Sequence, residues 1–172
     1  MKKINRKKYI IGIDSHYHVH VFPFVFKIII KLAKKYKINY LRIPIENNIF
    51  SQFSFKNFFE FIINLPKVIL INCFSLYCKY KYLKKNGTPY NHKFYGSLFS
   101  GNFTLDKFEK ALILAKKYNN FTTEIISHPG NIVTSEKKLW KSKNLINNYF
   151  SQNRISEKNT LIDKKIKKIL KD

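Results

Sequence analysis

The sequence predicts an α/β fold in a single domain that spans residues 1–172. Short apolar runs alternate with longer segments of helical periodicity, which is the order of elements in a parallel sheet. The chain has 172 residues, of which 45% are hydrophobic and 16% aromatic, enough to form a core of its own. Histidines lie just past the ends of two of the predicted strands, and functional side chains of parallel α/β folds collect at the carboxyl ends of strands.

The first predicted unit is a strand, a helix and a second strand. The apolar run at residues 9–13 is typical of a short buried strand. Residues 25–33 then place apolar side chains at helical spacing opposite lysines, and Pro23 suits the first turn of this helix. The second strand is predicted at residues 39–44, where Pro44 ends it. Strands joined by a helix usually pair in parallel.

The rest of the chain continues the alternation of helices and strands. The predicted elements are helices at residues 53–65, 67–85 and 104–118, strands at residues 94–99 and 122–127, and a basic, mostly helical segment from residue 135. Pro66 separates the first two of these helices, because an interior proline removes a backbone hydrogen bond. Thr104 is the predicted N-cap of the third helix.

The charge of the chain is strongly positive. Lys and Arg number 33 against 10 Asp and Glu, which gives a net charge of +23. Such a charge alone indicates nucleic acid or an anionic surface as a partner. The lysines, however, are spread along the chain, and no zinc-finger spacing, RNP-like motif or Gly-rich phosphate loop is present. We therefore interpret the charge as solvated lysine faces and do not expect a nucleic-acid partner.

Cysteine spacing and apolar runs predict the compartment. Cys73 and Cys78 fit neither a CxxC pair nor a disulfide framework, so we expect buried free thiols in a reducing compartment. The apolar run after the basic N-terminus is short and ends at Asp14, unlike a signal peptide. The apolar stretches at residues 19–30 and 68–78 are too short or too interrupted to span a membrane. These observations predict a cytoplasmic protein without a transmembrane segment.

The segment Asp14-Ser15-His16-Tyr17-His18-Val19-His20 points most directly to chemistry. It holds three of the five histidines of the chain, with a carboxylate two residues before the first. Imidazole is a common metal ligand, and a nearby carboxylate often fixes its tautomer, so the cluster indicates a metal or catalytic site. The alternative is that alternating histidines line one face of an exposed strand. His128 follows another predicted strand, so in a parallel sheet it would meet His16 at one rim.

Four blocks of the chain carry a family resemblance. DSHYHVH, RIPIE, FYGSLFSGNFT and TEIISHPG, in this order, resemble the YdjC-like carbohydrate deacetylases over about residues 11–170. The phrases LRIPIE and NLPKVILIN look closer to the branch associated with hopanoid biosynthesis. The resemblance implies an irregular (β/α) barrel and hydrolysis of the acetamide of an N-acetylated sugar or glycolipid.

The resemblance also implies roles for particular residues. It makes His16 a ligand of a divalent metal, magnesium or zinc. It makes His128 either the acid that protonates the departing amine or a residue that contacts the substrate. Arg42 and Glu46 could contact sugar hydroxyls or form a surface ion pair, and Glu124 is expected to pair with a basic side chain. Three further residues are expected to support the metal ligand: Asp14, His18 and His20.

The chain also departs from the family pattern. Family members begin with a strand that leads to two adjacent aspartates and a further metal-ligand histidine, whereas nothing before Asp14 is Asp, Glu or His. A full α/β barrel needs about 250 residues. We therefore expect a partial barrel that lacks the N-terminal strands.

Three explanations of this departure stay open. In the first, a partner chain or a homo-oligomer supplies the missing half. In the second, the gene is decaying and leaves an inactive fragment. In the third, Asp14, His18 and His20 complete a site locally. An open half-barrel exposes sheet edges and apolar surface, so low solubility alone or an obligate partner is expected. The alternative function is a non-enzymatic basic protein that binds RNA or an anionic surface on a degenerate barrel scaffold.

Overall fold

The computed structural model describes residues 11–47, 49, 58–84, 87–117 and 121–171. In this part of the chain, short strands alternate with helices as β1 Gly12–Ile13, α1 Pro23–Tyr36, β2 Tyr40–Leu41, α2 Phe58–Cys78, β3 Lys93–Tyr95, α3 Leu105–Lys117, β4 Thr123–Ile125, α4 Thr134–Lys137, α5 Lys143–Tyr149, α6 Gln152–Ile162 and α7 Lys164–Lys171. A 3₁₀ segment covers His16–Val21, and a π-helical turn, Lys79–Leu83, extends α2. Residues 9–10, 53–57, 85, 118 and 172 of the predicted elements lie outside the described residues.

The strands form two small parallel sheets. β1 pairs with β2, and β3 pairs with β4. Isolated parallel bridges connect the two sheets: Leu41 of β2 pairs with Tyr90, before β3, and Glu46, after β2, pairs with Phe94 of β3. The predicted parallel strand–helix–strand unit is thus confirmed. No closed barrel is formed by the residues that the structure describes.

Helix α1 lies where its apolar periodicity predicts. Pro23 is its first residue, where the missing N–H costs no helical hydrogen bond. Phe26, Ile30 and Ala33 are buried on one face against the first sheet. Lys37 ends the helix in the left-handed conformation, with φ 52°, and the N–H of Ile38 donates to the carbonyl of Ala33.

The prediction of two helices separated by Pro66 is wrong, because α2 is one helix with this proline inside it. The ring of Pro66 lies on the exposed side, away from the packed face. Buried side chains continue on both sides of the proline at helical spacing: Phe61, Val68, Ile71, Ser75 and Cys78. Packing of this stripe outweighs the one backbone hydrogen bond that the proline removes.

Helix α2 is unusual because it is apolar on both faces. Together with its π-helical turn, Phe58–Leu83 is long and apolar enough to cross a membrane by length and composition, and only 28% of its most apolar window is buried. One face nevertheless packs into the protein core, as in the helix of a globular domain. Cys78 lies on that buried face, whereas Cys73 is exposed, so the prediction of a buried thiol is wrong at Cys73.

The described core has two parts. The first lies between α1, β2 and the end of α2, around Phe26, Leu41 and Leu83. The second joins α2, β3, α3 and α7, and it includes Phe61, Tyr95, Phe99, Phe103 and Ile166. The basic C-terminal helix α7 contributes Ile166 to this second cluster, and its lysines face solvent. This arrangement agrees with solvated lysine faces on amphipathic helices.

We predict that Pro66→Ala raises the free energy of unfolding by about 2 kcal/mol. The substitution restores the N–H that can donate to the carbonyl of Ile62, and this gain exceeds the entropy that the unfolded chain recovers. Urea denaturation followed by circular dichroism measures it. Pro23→Ala is the matched control, because proline is favourable at the first helical position, and it should not stabilise the chain. Equal effects of both substitutions would contradict the packing account of α2.

Candidate active site at the strand ends

A cavity of about 310 Å³ opens at the carboxyl ends of the strands. It brings together residues from the two sequence blocks that carry histidines, and both His16 and His128 line it. The lining also contains serines and two cations. The lining residues are Asp14, Ser15, His16, Tyr17, His18, Arg42, Lys67, Ser97, Ser100, Ile126 and His128. The structure thus places His16 and His128 together, as the parallel topology predicts.

The backbone of the histidine segment is not a strand. Residues His16–Val21 turn in 3₁₀ geometry, and Tyr17 and His18 both adopt the left-handed conformation, with φ 54° and 59°. Two successive left-handed residues other than glycine are strained, and such strain is common at functional sites. As a result, His16 and Tyr17 are exposed while His18 turns inward and is buried. The alternative of an exposed strand face does not describe this segment.

His20 ties the histidine segment to the rest of the fold. Its Nδ1 lies 2.8 Å from Ser15 Oγ, and its Nε2 lies 2.9 Å from the backbone oxygen of Arg42. Ser15 Oγ also accepts a hydrogen bond from the backbone N–H of His20, at 2.9 Å. Both ring nitrogens of His20 therefore have protein partners, and the residue holds the segment against the end of β2.

His18 has one partnered and one unpartnered ring nitrogen. Its Nε2 lies 3.2 Å from Ser97 Oγ, while its Nδ1 is buried without a hydrogen-bond partner. Burial is the main cause that lowers the pKa of His18 to about 4, and the nearby charges of His20, Arg42 and Lys67 add to it. The ring is consequently neutral at pH 7. Burial also lowers the pKa of His20 and of His128.

Arg42 joins the two sheets through an ion-pair network. Its Nε lies 3.1 Å from both carboxylate oxygens of Glu124, and its Nη2 lies 3.1 Å from Glu124 Oε1. Its Nη1 contacts Asp14 in a second ion pair. The predicted pairing of Glu124 with a basic side chain is confirmed. Arg42 also lines the cavity, whereas the predicted contact of Arg42 with sugar hydroxyls stays a prediction.

Glu46 is not brought to the cavity. Its side chain is 3% exposed, and its two carboxylate oxygens accept hydrogen bonds from the backbone N–H of Gly96, at 2.9 Å, and of Ser97, at 2.7 Å. The expectation that Glu46 contacts sugar or forms a surface ion pair is therefore replaced by a positioning role. The carboxylate fixes the turn after β3, and Ser97 on this turn lines the cavity.

A second buried carboxylate, Glu157 on α6, holds the turn after β4. Glu157 is 1% exposed and accepts hydrogen bonds from the N–H of Phe103, at 2.8 Å, from Ser127 Oγ, at 3.0 Å, and from the N–H of His128. Reasoning from the sequence missed this residue, because it lies in a basic helical segment where a lone Glu suggests a surface position. The scarcity of acidic residues, 10 in the chain, was the available signal.

A second cavity of about 360 Å³ adjoins the first. The two cavities share His16, Tyr17, Lys67, Ser100 and His128. The remaining lining is rich in amide side chains from α2, α5 and α6, together with a tyrosine and two charged residues. These residues include Glu60, Asn64, Asn102, Asn147, Asn148, Tyr149, Asn153 and Arg154. The combined space is therefore an extended polar groove, and His128 lines both of its parts.

The described residues do not by themselves fit a metal ion. No three His, Cys, Asp or Glu side chains among them are grouped closely enough to bind one. His20 has partners on both ring nitrogens, and Asp14 is paired with Arg42. The explanation in which Asp14, His18 and His20 complete a site locally therefore finds no support in this part of the chain. His16 is left as an exposed imidazole on the cavity wall.

The comparison with known families decides which family the chain represents. The sequence model of the YdjC-like protein family matches residues 12–172. The chain belongs to the YdjC-like family. This family is associated with carbohydrate deacetylase activity. No curated protein and no solved structure matches the chain. The predicted family is thus confirmed over nearly the whole sequence, and both histidine blocks of this YdjC-like chain lie inside the match.

We predict that the free energy of unfolding decreases as the pH is lowered from 6.5 to 4, because the buried His18 becomes protonated. The pKa of His18 is about 4 in the folded chain and about 6.5 when unfolded. The unfolded chain therefore binds more protons in this window, and the stabilisation, full above pH 6.5, is lost toward pH 4. Its amplitude is up to about 3 kcal/mol.

Urea denaturation at several pH values, with chelator present, measures the effect of His18. His18→Asn should flatten the dependence, and His92→Asn, at an exposed histidine outside the cavity, should not. Burial also lowers the pKa of His20, so protonation of His20 destabilises the folded chain too. We therefore expect His18→Asn to keep part of the dependence of unfolding free energy on pH. An unchanged slope in His18→Asn would contradict the assignment.

We predict that Glu157→Gln lowers the free energy of unfolding by at least about 2 kcal/mol. The amide of glutamine has one oxygen that accepts hydrogen bonds and a nitrogen that does not, whereas both oxygens of Glu157 accept them. A buried backbone N–H is therefore left without an acceptor. Glu109→Gln is the matched control, because Glu109 pairs with the exposed Lys165 and surface pairs contribute about 0–1 kcal/mol. Urea denaturation compares the two variants. Equal losses would show that Glu157 does not anchor the turn after β4.

Proposed function

We propose that this YdjC-like chain takes part in hydrolysis of the acetamide of an N-acetylated sugar or glycolipid. The observation that carries the proposal is the cavity in which His16 and His128, from the two histidine blocks, meet at the strand ends. This meeting supports a site in which one imidazole moves a proton and the other binds a ligand. The phrases LRIPIE and NLPKVILIN favour the branch associated with hopanoid biosynthesis.

The chemistry of the groove favours a sugar as substrate. Amide side chains both donate and accept hydrogen bonds, as sugar hydroxyls do. Tyr149 adds an aromatic ring, over which the guanidinium of Arg154 lies at 4.7 Å. The cavity and the adjoining groove provide space on both sides of His128 for more than the acetamide itself. We therefore favour a sugar with a further substituent, such as a second sugar or a lipid.

His128 is the proposed proton carrier of the reaction. Burial lowers its pKa, so the ring is neutral near pH 7 and can first accept a proton from the attacking water. The water oxygen then bonds to the acetyl carbon, the C–N bond breaks, and His128 returns the proton to the amine nitrogen. Acetic acid and the free amino sugar are the products. Lys67 on the cavity wall supplies positive charge near the developing oxyanion.

We propose that the metal binds when this chain is assembled with a partner chain or with a second copy. We infer that His16 supplies one ligand to magnesium or zinc, and that a partner chain or second copy supplies the others, because the described residues do not group three ligands. The same partner would extend the sheet beyond β1 toward a (β/α) barrel. We place this assembly in the cytoplasm.

Acetate release from N-acetylated sugars by the purified chain tests the proposal. The assay is run with magnesium or zinc, together with binding of the metal by calorimetry, on the wild type and on His16→Ala and His128→Ala. We expect His128→Ala to lower the rate at least about 100-fold, the usual contribution of a proton-transfer group. We expect His16→Ala to weaken metal binding.

His92→Ala is the matched control, because His92 is exposed and lies outside the cavity and the adjoining groove. It should change neither metal binding nor rate. Metal binding by the wild type that His16→Ala leaves intact would contradict the ligand assignment. Acetate release that His128→Ala leaves intact would contradict the proton carrier. Absence of both metal binding and acetate release in the purified chain would contradict a second copy as the source of the missing ligands, and the assay would then need a different partner chain.

A further inference from the structure

The outward face of α2 is apolar along its whole length. Phe59 and Ile63 are 79% and 75% exposed, and they are followed on the same side by other exposed apolar residues: Ile62, Ile69, Leu70, Leu76, Tyr77 and Tyr80. Glu60 and Lys67 are the charged residues between Phe58 and Cys78, and both line the groove instead of this face. A continuous exposed apolar face of this size marks a surface that contacts another apolar phase or a partner.

The sheet topology argues against the partner half of a barrel as the cover of this face. Helix α2 connects β2 to β3, and parallel bridges join those two regions, so α2 lies at the middle of the strand order. Further strands would pair with the outer edges at β1 or β4. Helices that accompany such strands would then pack beside α1 or α3. Those helices would leave the outward face of α2 uncovered.

The charge of the chain argues against a second copy and in favour of an anionic surface. Two copies that meet at this face would bring together two bodies of net charge +23 each. Exposed lysines Lys81 and Lys84 lie at the end of the long helix that carries the apolar face, and α1 carries further exposed lysines: Lys27, Lys31, Lys34 and Lys35. Lys81 Nζ lies 4.8 Å from the centre of the Tyr77 ring, and Lys84 Nζ 4.4 Å from that of Tyr80.

We propose that the outward face of α2 binds the surface of an anionic lipid bilayer. Apolar side chains beside lysines and tyrosines are the composition by which helices insert into the headgroup region, and each lysine near an anionic surface adds attraction. The helix lies on the surface and does not span it, since its other face packs into the core at Phe61, Val68 and Ile71. No spanning segment is needed for this attachment.

This surface also bears on the substrate. Glu60, Asn64 and Lys67 line the groove, while Phe59 and Ile63 on the same turns face outward. A lipid-linked sugar could therefore keep its lipid in the bilayer while its sugar reaches His128. This extension to a glycolipid rests on the proposed function, whereas the lipid contact of α2 does not.

Flotation of the full chain with vesicles tests the lipid contact. Vesicles of phosphatidylcholine alone are compared with vesicles that also contain phosphatidylserine. The double variant Phe59→Ser with Ile63→Ser removes the two most exposed apolar side chains of the face. We expect the wild type to bind the anionic vesicles, and the variant to bind them at least about tenfold more weakly, because burial of two large apolar side chains is lost.

The double variant Leu139→Ser with Leu170→Ser is the matched control. These leucines are 79% and 63% exposed but lie outside α2, so their loss should leave binding unchanged. Circular dichroism checks that both variants fold. Vesicle binding that the α2 variant retains, equal binding to neutral and anionic vesicles, or no vesicle binding would each overturn the proposal. So would self-association, measured by ultracentrifugation, that the α2 variant abolishes. Acetate release is measured separately, so its absence does not affect this test.

Discussion

Two buried carboxylates hold the rim on which the candidate site depends. Glu46 and Glu157 are the buried acidic residues in the described part of the chain, and each accepts backbone N–H groups from a turn that follows a strand. Turns at strand ends expose N–H groups that no sheet partner satisfies, so a carboxylate there supplies strong, charge-assisted acceptors. The positions of Ser97 and His128 follow from these contacts, and with them the shape of the cavity.

The histidine segment is held by a different set of contacts. His20 lies between Ser15 and the backbone of Arg42, and Arg42 in turn pairs with Asp14 and Glu124. These contacts allow Tyr17 and His18 to keep a left-handed backbone that an unsupported chain would avoid. The strain exposes His16 to the cavity. A chain with so few acidic residues thus concentrates several of them around the two strand ends that carry histidines.

Helix α2 connects this site with the outside of the molecule. One of its faces closes the core, Glu60, Asn64 and Lys67 line the groove, and its outward face is apolar without any charged residue before the lysines at its end. Such a helix satisfies neither the pattern of a surface helix, which is polar outside, nor that of a fully buried one. Its composition is explained when the outward face has an apolar environment of its own.

The sequence by itself determined the alternation of strands with helices, the parallel pairing of β1 with β2 and the meeting of His16 with His128, because periodicity is a local property and parallel strands end at the same rim. The order of its motif blocks determined the family. It failed at Pro66, where packing on both sides of the proline outweighs a lost hydrogen bond. Only the tertiary structure decided that Glu46 and Glu157 are buried anchors and that His20 is structural. Those roles depend on which distant N–H and carbonyl groups face each side chain, and residue type and spacing do not encode that.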